Sequence, residues 1–132
     1  MIPNAQAPPA SELAPRPDGV VVCRVQGEID LEANSYIRDV FAQAARHATA
    51  GIVIDCHALE FCDSTLLNAL LCLRRTACAH HQRLVLAAPP AQLQRLLELT
   101  GTTELLPAYT SLATALDHAA HPGEPDAGPL RP

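Results

Sequence analysis

The stretch from Ala50 to Leu71 constrains this chain most. An apolar run, Gly51-Ile52-Val53-Ile54-Asp55-Cys56, leads through a short turn to Phe61-Cys62-Asp63-Ser64-Thr65 and then into a leucine-rich segment. Ile52, Val53 and Ile54 are consecutive and β-branched, which suits a strand covered on both faces, whereas Leu66 to Ala79 has the length and residue types of a helix. Ser64 therefore stands where strand chemistry gives way to helix chemistry.

Both ends read differently from the middle. Residues 1–18 contain Pro3, Pro8, Pro9, Pro15 and Pro17, and residues 120–132 contain Pro122, Pro125, Pro129 and Pro132. Such segments are expected to be disordered, leaving one folded domain over 19–119, enough for a single core. No stretch approaches the roughly 18 apolar residues of a membrane span, and the N-terminus lacks the pattern of a secretory signal, so a cytoplasmic protein is expected.

Lysine is absent and all nine basic residues are arginines. A lysine Schiff base and the lysine-containing phosphate loop of nucleotide hydrolases are thereby excluded. The formal net charge of -5, with no basic cluster, argues against nucleic acid and leaves a protein partner as the expectation. Five cysteines without C-x-x-C spacing point to reduced thiols rather than a zinc site.

Between the ends the pattern alternates. Val20 to Val25 reads as a strand, Gly27 as a break, and Glu28 to Leu31 as a second strand returning in a hairpin. Asn34 or Ser35 can cap a helix reaching about His47, with Ile37, Val40, Phe41 and Ala44 along one face. Arg83 to Ala87 is a buried strand, and Pro89-Pro90 precede a helix that stops at Gly101. Glu104 to Leu106 can form a short strand, and Ser111 caps a last helix through about His118. The order ββαβαβαβα implies an α/β fold whose mixed, mostly parallel sheet begins with an antiparallel hairpin and carries about four helices.

Four segments in this order resemble the STAS family, whose soluble bacterial members are anti-sigma factor antagonists. They are Gly27-Glu28-Ile29-Asp30, Val53-Ile54-Asp55 with Phe61 to Thr65, Leu96 to Gly101, and Ser111 to Leu116. The resemblance implies a STAS-type single domain that is not an enzyme. Unphosphorylated, it would bind an anti-sigma factor, itself a serine kinase, and so free a sigma factor for transcription. Phosphorylation of the matching Ser64 would end that binding, with a phosphatase to reverse it. Asp30, Asp63, Thr65 and Leu66 are the expected partner-binding residues, and no catalytic residue, cofactor, metal, nucleic acid or membrane is implied. Leu66 stands where the family commonly has glycine and is expected to be exposed. An alternative is an unregulated STAS scaffold or a small-ligand-sensing interaction module.

Other residues have simpler readings. Ser64 could merely cap its helix, and Asp55 with Asp63 could be solvated or capping carboxylates rather than an acid/base pair. His80-His81 read as surface residues at a helix end, and Cys56-His57 as a buried thiol beside an outward imidazole rather than a catalytic pair. Cys72 and Cys78 are expected to pack in the core.

Overall fold

The computed structural model describes residues 10–120, and for 10–12 the backbone alone. Five strands form one sheet in sequential order: β1 (Ala10–Pro15), β2 (Val20–Ile29), β3 (Gly51–Cys62), β4 (Arg83–Ala87) and β5 (Ala108–Tyr109). The first pair is antiparallel and the other three are parallel. Four helices follow the strands: α1 (Asn34–His47), α2 (Ser64–Ala79), α3 (Ala91–Thr100) and α4 (Leu112–Ala120).

Alternation along the strands sorts the core into two layers. Cys23, Ile52, Ile54, Leu84 and Leu86 face α1, α2 and α3, whose Ile37, Phe41, Leu66, Leu70 and Leu93 complete the larger cluster. Val20, Val53, Val85 and Ala87 face the other way, against Ala115 and Ala119 of α4. A β-branched run covered on both faces is what the apolar start of β3 required.

The expected α/β order is present, but β1, β2 and β5 differ from the sequence reading, and β3 runs on to Cys62 through the residues read as a short turn. β2 is one continuous strand from Val20 to Ile29, and Gly27 does not end it; the residue takes φ 73° inside the strand. The antiparallel hairpin is real, yet its first strand is β1, inside the segment expected to be a disordered proline-rich terminus. Pro15 is compatible with a strand here because β1 is an edge, where a missing N–H costs no ladder bond. Residues 1–9 and 121–132 lie outside the described residues, as does that much of the expected disorder. The short last strand is Ala108–Tyr109, not Glu104 to Leu106.

β3 is twelve residues long and its parallel neighbour β2 ten. Two register shifts, between Arg24 and Gln26 and between Gly27 and Glu28, absorb the difference, each placing an extra residue on β3. At the first, buried Asp55 accepts the His57 N–H at 3.1 Å and pairs with Arg24 at 3.7 Å. Asp55 is thus committed to the bulge.

Candidate functional site

The candidate site lies where β2 and β3 end side by side. Ile29 and Cys62 are register partners, so Asp30 and Asp63 follow at equivalent positions on neighbouring parallel strands. Both have extended backbones, with φ/ψ of -125°/-167° and -128°/-161°. Each turns its carboxylate onto the next element: Asp30 Oδ1 accepts the Glu32 N–H at 3.1 Å, opening a 3-10 turn over Leu31–Ala33, and Asp63 Oδ1 accepts the Thr65 N–H at 2.8 Å, opening α2. Repeating one capping device on adjacent strands holds both carboxylates at the same end of the sheet.

This arrangement assigns the capping role to Asp63 rather than Ser64. Ser64 is the first residue of α2 and is exposed, so its hydroxyl is free of the capping duty and turned to solvent. Thr65 beside it is only 8% exposed. Of two adjacent hydroxyl residues, an incoming enzyme or partner could reach Ser64. The positive end of the helix dipole lies at this point, while Asp63 already takes up the Thr65 and Leu66 N–H groups.

Two of the expected partner-binding residues are not at the surface. Leu66 has no exposed area and packs in the main core with Leu70 and Ile54, and Thr65 is buried too. Thr65, Leu66 and Leu67 all turn inward as α2 lies on the sheet, so the apolar side chain of Leu66 is drawn into the core. The exposed apolar residues at this end are instead Leu31, at 75%, and Phe61, at 41%. Sequence reading missed both, since Phe61 owes its direction to the second β3 bulge and strand alternation carries no signal of that.

Gln92 of α3 was likewise not foreseen. Its Oε1 accepts the Cys62 N–H at 3.0 Å, at the end of β3 and well beyond Asp55, the last β3 residue paired with β4. That side chain satisfies a strand-end donor and ties α3 to the residue preceding Asp63.

The remaining reactive groups are structural. Cys56 is fully buried, and its thiol is pushed well above the ordinary range by burial, with Asp55 adding to the effect. His57 is exposed, so the two point apart as strand geometry requires. Cys72 and Cys78 are exposed rather than packed in the core, and all five cysteines are free. His80 and His81 are exposed, and among the described residues no group of three or more His, Cys, Asp or Glu is placed to hold a metal ion. No helix there is long and apolar enough to cross a membrane.

A family model described as "Mlab, STAS domain" matches residues 14–107, the span from the end of β1 to the start of β5. The chain belongs to the STAS domain family. No curated protein matches its sequence significantly. Among solved structures, this STAS domain is similar to an anti-sigma factor antagonist from Mycobacterium paratuberculosis, at 26% identity and a TM-score of 0.74, covering 82% of this chain and 91% of that one. It is also similar to the Bacillus cell fate determinant SpoIIAA in its phosphorylated form, at 25% identity and a TM-score of 0.64, covering 81% and 96%. A STAS domain protein from Planctomyces limnophilus, 19% identical with a TM-score of 0.74 over 83% and 97% of the two chains, shares the fold.

Proposed function

We propose that this STAS domain is a non-enzymatic, phosphorylation-controlled anti-sigma factor antagonist acting in the bacterial cytoplasm. Its unphosphorylated form binds an anti-sigma factor, a serine kinase, and thereby frees a sigma factor; phosphorylation of Ser64 ends the binding. The observation that carries the reading is the exposed Ser64 hydroxyl at the start of α2, between the capping carboxylate of Asp63 and the buried Thr65. Likeness to a protein solved in a phosphorylated form supports it.

The electrostatics favour a switch. A phosphate adds about -1.5 to -2 charges at neutral pH. In the free domain the helix dipole favours an anion, by typically about 0.3 to 1 kcal/mol at exposed sites. In a complex the same phosphate, beside Asp63 and near the end of the sheet that carries Asp30, is pressed against partner surface and loses water. Without a matching arginine that costs several kcal/mol. The modification is thus tolerated by the fold and rejected at the interface. Leu31 and Phe61 are the apolar contacts such an interface would cover, with Asp30 and Asp63 at its polar part.

The test is incubation with ATP and candidate anti-sigma kinases, followed by peptide mass spectrometry and calorimetry. One phosphate mapped to Ser64 is the expected result. Ser64→Ala should retain partner affinity in the presence of ATP, and Ser64→Asp should weaken it by tenfold or more, taking about 1.4 kcal/mol per decade. Equal affinities for the two variants would refute the switch.

A further inference from the structure

Away from Ser64, a groove of about 440 Å³ runs between α1 and α2. That is within the roughly 300–1,000 Å³ typical of small-molecule sites. Phe41 and Leu73 give it apolar walls, Gln82 and His80 lie along it, and Arg38 and Arg46 bring its charge. None of the described residues lining it is a carboxylate, although the whole chain carries a formal charge of -5. Ser64 does not line it.

Gln82 is the second observation. It is only 8% exposed, and its Nε2 donates to the carbonyls of Ala45 at 3.0 Å and Ala48 at 2.8 Å, at the end of α1. Two carbonyl acceptors fix the amide orientation, because the flipped form would set oxygen against oxygen. Oε1 therefore faces away from them. It is buried, and among the described residues none donates to it. A buried acceptor left unpaired carries its full desolvation cost, so a donor delivered there is bound with advantage.

Arg38 completes the chemistry. Its Nε donates to Asn34 Oδ1 at 3.0 Å and its Nη1 to the Cys72 thiol at 3.2 Å. Sulfur is a weak acceptor, so the guanidinium is held over the groove with its charge uncompensated by these neutral groups.

We propose that the groove between α1 and α2 binds a small amphipathic acid: an alkyl body against Phe41 and Leu73, an anionic head at Arg38 and Arg46, and one hydroxyl or amide donor to Gln82 Oε1. The site stands independently of the Ser64 reading.

The experiment is a titration of the isotope-labelled full chain, followed by amide shifts, with 3-hydroxyoctanoate, octanoate and octyltrimethylammonium as probes. The hydroxy acid is expected to give saturable shifts confined to 38–48, 69–80 and Gln82. It should bind about five- to tenfold more tightly than octanoate, the gain from one added hydrogen bond to a buried acceptor. The cation should not bind. Replacing both Arg38 and Arg46 by Gln should weaken the acid about fivefold or more. Ala42→Trp, at an exposed position on the groove wall, should abolish binding while leaving helicity unchanged. Absence of saturable shifts, shifts elsewhere, or equal binding of the cation would overturn the site; equal binding of octanoate and its hydroxy analogue would overturn the role of Gln82.

Discussion

Ser64 and Leu66 stand two positions apart on one helix turn, and their environments are opposite: one hydroxyl in water, one side chain wholly in the core. The sequence could place both at a strand-to-helix junction but could not set the helix rotation, because four leucines in the first two turns supply more apolar residues than one stripe needs. Which of them turns outward is decided by how α2 lies on the sheet, and the answer is none of Leu66, Leu67 and Leu70. Leu66 is consequently a packing residue. Leu66→Ala should destabilise the domain by about 2–5 kcal/mol, the range for truncating a buried leucine, and Leu66→Gly by about a further 1 kcal/mol for helix propensity. Urea unfolding measures this. A loss below about 1 kcal/mol would mean that the side chain is at the surface after all.

At the scale of elements, helices with clear end signals were legible and strands with bulges were not. Gly101 ends α3 in the left-handed region, φ 70°, with the Thr102 N–H reaching the Leu97 carbonyl at 3.0 Å, and a glycine stop is readable from sequence. α2 ends in the same way: the Gln82 N–H reaches the Ala77 carbonyl at 2.8 Å and the His81 N–H the Cys78 carbonyl at 3.1 Å, but the left-handed residue is His81, φ 59°. A residue with a Cβ costs roughly 1–2 kcal/mol in that conformation. His81→Gly should therefore stabilise the protein by about 0.5–1 kcal/mol after the glycine's greater chain entropy is deducted, seen as a higher urea midpoint at unchanged slope. The strands failed for another reason. Glycine usually ends a strand, so Gly27 reads as a terminator from sequence alone, and proline counts do not separate an edge strand such as β1 from a tail. The Ser64 loop, by contrast, was readable in position, since both flanking elements announce themselves in composition.

In the whole molecule, the sheet is sealed on one face by three helices and on the other by α4, and two consequences are measurable. The first concerns close approach. A Cβ on Gly51 would stand 2.8 Å from the Ala119 carbonyl oxygen and 3.1 Å from that of Arg83, both backbone atoms that cannot swing aside. Gly51→Ala should therefore lift the end of α4 and cost about 1–3 kcal/mol, with the amides of α4 exchanging faster than those of α1. The second concerns pH. Burial raises the thiols of Cys23 to about 12 and Cys62 to about 11, and that of Cys56 further in the same direction, from an ordinary value near 9.0. Below pH 9 folded and unfolded chains both hold these protons, so the thiols leave stability unchanged. Between 9 and about 12 the unfolded chain releases protons that the folded chain retains, so the unfolded state is favoured increasingly as pH rises. Each thiol contributes a slope of up to about -1.4 kcal/mol per pH unit in that window. Urea midpoints measured from pH 8 to 11 should fall accordingly, and replacing Cys23, Cys56 and Cys62 together by Ala should flatten the fall whatever it does to stability at pH 8. An unchanged slope in that variant would place the alkaline sensitivity in groups other than these thiols.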